Sequence, residues 1–169
     1  MINKSNFKKV LKAAMKKRTF FDGETLCDGY FLMKVDPELK QEITKTVGTE
    51  NNFIFEGGNI RKDNLNFPNF KTLVNGAQKD QKFVFTGYTK KVDKYESYIL
   101  CGEDGTLIYI DKKYMELFED TKSMNIYGST AINPLVFETL NNDFVALILP
   151  IRPGNLENGY KIVKEDQAA

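Results

Sequence analysis

Histidine is absent from this sequence, and with it go the usual general base, the usual proton shuttle and the commonest metal ligand. Ser-His-Asp and Cys-His nucleophiles are excluded, together with most zinc chemistry. Cysteine is scarce: Cys27 and Cys101 are too few for a disulfide framework and far from a C-x-x-C spacing. Both read as free thiols of a reducing cytoplasm. No apolar run approaches the roughly 20 residues a membrane helix needs. Residues 1–18 carry charge throughout, where a signal peptide would be continuously apolar. A cytoplasmic protein with no membrane partner is expected. There is also no P-loop, no GxGxxG and no EF-hand loop; Glu56-Gly57-Gly58-Asn59 has turn composition without a phosphate-binding frame. These absences predict no cofactor, no metal and a non-enzymatic role, with chemistry by carboxylates or lysines alone left open.

What is present builds a globular domain. The chain has 169 residues, 41% hydrophobic and 28% charged, with 13 Phe and 8 Tyr, more aromatics than a disordered chain carries. The length favours one domain, taken as residues 1–153, with a polar tail over 154–169. Net charge is +1, so any attraction to a polyanion must come from local asymmetry. That asymmetry is N-terminal: residues 1–21 hold seven basic residues and no acidic one. Ser5 reads as an N-cap, and Phe7, Val10, Leu11 and Ala14 form the stripe of an amphipathic helix. The opposite arc gathers Lys8, Lys9, Lys12 and Lys16. Such an arc suits a row of phosphate contacts or an ordinary solvated face.

Further along, Asp22-Gly23 and Asp28-Gly29 are turn signals, and Tyr30 to Val35 reads as a strand. Asp36-Pro37 predicts a capped helix through Ile43. Residues 44–66 read as loops with one strand at Phe53 to Phe55. Pro68 between two phenylalanines reads as a rigid strap on the core. Strands are predicted over 82–88, 95–101 and 106–110, the first two joined by a connection bearing Lys90, Lys91 and Lys94. Asp111 then caps a helix over "KKYMELFED", with Tyr114, Leu117 and Phe118 as its apolar face. Strands over 124–127, 135–139 and 144–151 complete the chain. "FLMKVDPELKQEI" and "LIYIDKKYMELF" each read as strand, Asp cap and short helix. The expected class is therefore α+β, built from two similar βαβββ-type halves, with antiparallel sheets and helices on one face. The run Phe144 to Ile151 is too short to span a bilayer and must be buried; its close in Pro150-Ile151-Arg152 predicts a strand at a sheet margin, since proline cannot donate to a ladder.

Several of these stretches, in order, resemble the bacterial DNA polymerase III beta sliding clamp. "LCDGYFLMKV" resembles its strand element with a Thr-Asp-Gly core, "FPNFK" its Phe-Pro-Asp-Tyr-Arg strap, "YIDKKYMELF" its strand and following helix, and "VALILPIR" its closing Val-Val-Met-Pro-Met-Arg. Together they span Ser5 to Arg152, and "VALILPIR" is the most specific. The resemblance implies a clamp-like fold and a replication accessory that holds duplex DNA by its backbone, without sequence preference. Lys8, Lys9, Lys12 and Lys16 would make those contacts. It further implies an apolar edge groove, matched here by Leu149, Pro150 and Ile151, that captures short motifs of a DNA polymerase or other replication proteins. A homo-oligomer is implied as well, because a clamp chain has three such domains and this chain has material for one. The alternative is a binding module or decoy of the same fold that engages a host replication or defence protein without DNA.

Overall fold

The computed structural model describes residues 2–92 and 94–152, so the expected tail at 154–169 lies outside the described residues. Helix α1 (Lys4–Ala14) starts one residue after Asn3, whose side chain accepts from the Asn6 backbone N–H at 3.0 Å. The cap is thus Asn3 and not Ser5: both types cap well, and Asn3 is the one with an extended backbone that lets its oxygen reach into the first turn. Phe7, Val10, Leu11 and Ala14 are all buried, as the periodicity predicted. Strands β1 (Arg18–Phe21), β2 (Thr25–Cys27) and β3 (Phe31–Lys34) follow, separated by the two expected turns. In each turn an aspartate side chain accepts two backbone N–H groups ahead of it, and glycines at φ +97° (Gly23) and +91° (Gly29) supply the left-handed residue. Helix α2 (Pro37–Val47) is capped by Asp36, which accepts from Leu39 at 2.8 Å, and runs one turn past Ile43 to left-handed Gly48. The stretch expected to hold one strand holds two, β4 (Phe53–Glu56) and β5 (Asn59–Arg61), turned by Gly57-Gly58.

The second half begins with α3 (Phe70–Asn75), a short helix capped by Asn69; the rings of Phe67 and Phe70 on either side of Pro68 pack on the core as expected, and the helix that follows them was not read in the sequence. Strands β6 (Gln81–Val92), β7 (Tyr95–Gly102) and β8 (Leu107–Asp111) lead to α4 (Lys112–Met115). The helix predicted through Asp120 is a single turn. Its continuation is taken by tertiary pairing: Leu117 C=O accepts from the Asn3 N–H at 2.7 Å, and Phe118 bridges Ile2. Strands β9 (Met124–Gly128), β10 (Leu135–Thr139) and β11 (Phe144–Ile148) close the described chain.

All eleven strands form one antiparallel sheet in the order β5-β4-β1-β2-β3-β11-β10-β9-β6-β7-β8. Each half contributes helix, three strands, helix and two strands. The spatial order β5-β4-β1-β2-β3 recurs as β10-β9-β6-β7-β8, so the two halves repeat one plan, and β11 is an additional strand that joins them. The fold is α+β, with α1, α2 and α4 on one face over Phe21, Met33, Phe53, Phe137 and Ile148. The opposite face carries Phe20, Leu32, Ile54, Val136 and Leu147 beneath Phe70 of α3, so one short helix departs from the expected single helical face.

A further expectation is corrected. Strand β11 lies at the centre of the sheet, between β3 and β10, and not at its margin. The reason is in its composition: an unbroken apolar run has no polar side for solvent and suits a strand covered on both faces and paired on both edges.

Candidate docking groove and lysine face

The groove begins at the Asp28 turn. One carboxylate oxygen of Asp28 accepts from the Tyr30 and Phe31 N–H groups, both at 2.8 Å, while the other accepts from the Tyr114 hydroxyl of α4 at 2.8 Å. Burial raises the Asp28 carboxyl above the usual carboxylate range, against the pull of these donors. The Tyr114 hydroxyl is pushed up by burial and by the neighbouring Asp28 charge, so it remains a donor. Burial also raises the adjacent Cys27 thiol, which is therefore a poor nucleophile at neutral pH. This bracing fixes the backbone on either side of Gly29 and leaves the Tyr30 side chain projecting, 57% exposed.

Beside Tyr30 the chain leaves β11. Leu149 N–H donates to Tyr30 C=O at 2.8 Å, and Ile151 N–H donates to Tyr109 C=O at 2.7 Å. The segment therefore crosses from the β3 side of the sheet to β8, the far edge strand, which shows that the sheet curls back on itself. Pro150 lies between these two donors, where its missing N–H costs nothing. It is buried, Leu149 is exposed and Ile151 is half-buried. All three line a cavity of about 390 Å³, walled also by Tyr30, Tyr95, Tyr114 and Ile132, with Lys17, Lys113, Arg152 and Asp111 at its polar margin. A second cavity of about 240 Å³, lined by Leu32, Leu73, Pro134 and Leu147, shares Tyr30 and Leu149 with the first. The result is an apolar groove in two compartments divided by those two side chains.

Leu149, Pro150 and Ile151 are thus brought together as singled out in the sequence, but in a groove beside the central strand. Tyr30, Ile132 and Leu73 escaped sequence reading. The Asp28-Gly29 turn was a signal for Tyr30; Ile132 and Leu73 reach the groove only through the fold.

The lysine arc divides. Lys8 lies 3.0 Å from Glu42 of α2, and Lys4 lies 2.9 Å from Glu38. The Lys8 ammonium, with Lys45 and Lys4 nearby, holds the Glu42 carboxyl below its ordinary range. Two N-terminal cations are therefore engaged in docking α1 on α2. Lys9, Lys12 and Lys16 are exposed, and none has an ion pair among the described residues. Lys9 and Lys12 lie on α1, whereas Lys16, expected on the same helical arc, falls in the turn after Ala14, next to Lys17, which enters the groove lining.

Among the described residues no group of three or more Cys, Asp or Glu side chains could hold a metal ion, and no helix is long and apolar enough to cross a membrane. No family model matches the chain, and no curated protein matches it. Solved structures similar to it include the following two. One is the DNA polymerase sliding clamp of Bacillus subtilis, at 15% identity and TM-score 0.42, covering 89% of this chain and 63% of that one. The other is described as a DNA polymerase III beta subunit from Eubacterium rectale ATCC 33656, at 12% identity and TM-score 0.39, covering 89% and 64%. The chain thus spans just under two thirds of the length of either of those chains.

Proposed function

We propose that the chain is a non-enzymatic, clamp-like accessory of DNA replication. It grips the duplex backbone through Lys9, Lys12 and Lys16 and receives a short apolar segment of a replication protein, such as a DNA polymerase, in the groove around Leu149, Pro150 and Ile151. The observation that carries this reading is the set of three lysines without ion-pair partners among the described residues, Lys9 and Lys12 on a helix whose other face is locked into the core and Lys16 in the turn that follows it. A few independent phosphate contacts give a weak, mobile, salt-dependent hold with no base readout, which is what a protein that travels along DNA requires. Lys8, named with them in the sequence, is assigned to fold stability because Glu42 neutralises it.

Binding of a fluorescein-labelled duplex across a salt titration tests the reading. Three phosphate contacts predict a slope of log K against log salt of roughly −2 to −3. Lys9→Glu/Lys12→Glu/Lys16→Glu should abolish binding and leave the thermal midpoint unchanged, since none of the three touches the core. Equal binding by both proteins rejects the lysine face as the contact surface. The alternative reading, a protein-binding module or decoy without DNA, is favoured by the engagement of Lys4 and Lys8 with α2. It predicts no duplex affinity at moderate salt in either protein.

A further inference from the structure

We propose that the groove is occupied in cis by the chain's own residues 153–169, which compete with any external segment for Tyr30 and Leu149. This inference rests on the reading above that the groove takes a short apolar peptide. Three observations support it. Arg152, the last described residue, itself lines the larger cavity, so the described chain ends at the mouth of the groove. Pro153-Gly154 is a turn dipeptide, and Leu156 lies three residues past Pro153, a reach of about 10 Å in extended chain.

The chemistry also matches. The groove offers Tyr30, Ile132 and Leu149 at 57%, 51% and 39% exposure, an uncovered apolar surface of the kind that marks an interaction site. The segment supplies Leu156, Tyr160, Ile162 and Val163 in an otherwise polar stretch. Charge is complementary: Lys17, Lys113 and Arg152 outnumber Asp111 at the margin, while Glu157, Glu165 and Asp166 outnumber Lys161 and Lys164 in the segment.

Tethering makes a weak contact effective. A segment joined directly to the groove acts at an effective concentration in the millimolar range, so it fills the site without a tight intrinsic affinity. An external peptide then binds only the open fraction; a segment docked about nine-tenths of the time weakens an external ligand about tenfold. The device would make partner capture conditional on a ligand strong enough to displace the segment.

The test uses the full chain. In a Cys27→Ser/Cys101→Ser background, Ile132→Cys with Tyr160→Cys should form a disulfide within one chain under mild oxidation, read as a monomer by mass. In parallel, the Leu156→Ser/Tyr160→Ser/Ile162→Ser variant should bind the apolar dye anilinonaphthalene sulfonate about tenfold more tightly than wild type, as expected from opening a mostly closed site. Adding Tyr30→Ala to that variant should cancel the gain, which places the dye in the groove. Disulfide-linked dimers, absence of the disulfide, or equal dye binding by wild type and the serine variant overturn the proposal. A synthetic peptide of residues 153–169 separates the two readings. If it displaces dye from the serine variant although no intramolecular disulfide forms, the groove accepts apolar peptides and only self-occupancy fails. If it displaces none and no disulfide forms, both fail.

Discussion

Glu42 shows how one residue changes the meaning of a sequence pattern. Lys8 belongs to the helical arc that also holds Lys9, Lys12 and Lys16, and nothing local distinguishes it from them. Only the packing of α2 against α1 brings a carboxylate to 3.0 Å from it. The consequence for pH follows from the sign of the shift. Glu42 has its folded value lowered below 4.5 by Lys8, so its contribution to stability is present above that range and disappears as pH falls through the lowered value. Asp28 acts oppositely. Its folded value is raised by burial, so its contribution is present at low pH and is lost as pH rises through that value. Glu42→Gln isolates the first effect. The variant should melt below wild type at neutral pH, and the two midpoints should converge on acidification from about pH 5 to 3. A gap of constant size across that range would deny Glu42 its link to Lys8.

At the scale of elements, local signals carried the first half well. Asp36-Pro37 opened a helix where it was read, and Asp22-Gly23 and Asp28-Gly29 turned the chain between β1, β2 and β3. The errors came where tertiary partners compete for the backbone. Helix α4 stops after one turn because Leu117 and Phe118 pair with the N-terminal segment, a contact that sequence periodicity cannot register. Strand β5 is exposed throughout and carries no buried stripe to announce it. For α2, Asp36→Ala should cost about 1 kcal/mol of unfolding free energy in urea, the usual value of an N-cap, because the Leu39 N–H loses its partner. No measurable change would mean that α2 is held by its packing alone.

Across the whole molecule the two repeats share one core. Phe137 of β10 stacks on Phe118, with centroids 4.8 Å apart and planes 8° from parallel, within a cluster that also includes Phe7 and Phe53. Strand β11 pairs Leu147 with Leu32 of the first half and with Val136 of the second, so neither half ends in a free edge at the junction. Phe137→Ala should therefore destabilise the protein by about 3–5 kcal/mol. Unfolding should stay a single transition by calorimetry and by circular dichroism, since both halves lose the same cluster together. Two separated transitions would show that the repeats fold independently.

The sequence by itself determined the α+β class, the repeated strand-cap-helix plan, the buried stripe of α1 and the burial of Ala146, Leu147 and Ile148 within the closing apolar run. These follow from period, composition and short-range capping, which act over a few residues. Tertiary structure alone decided that β11 is central, that Lys8 is paired while Lys9, Lys12 and Lys16 remain open, and that Tyr30, Leu73 and Ile132 meet Leu149 around one groove. Those outcomes depend on which distant elements share an edge or a face, and a chain whose sheet curls to bring β8 beside the end of β11 does not encode that meeting in any local pattern.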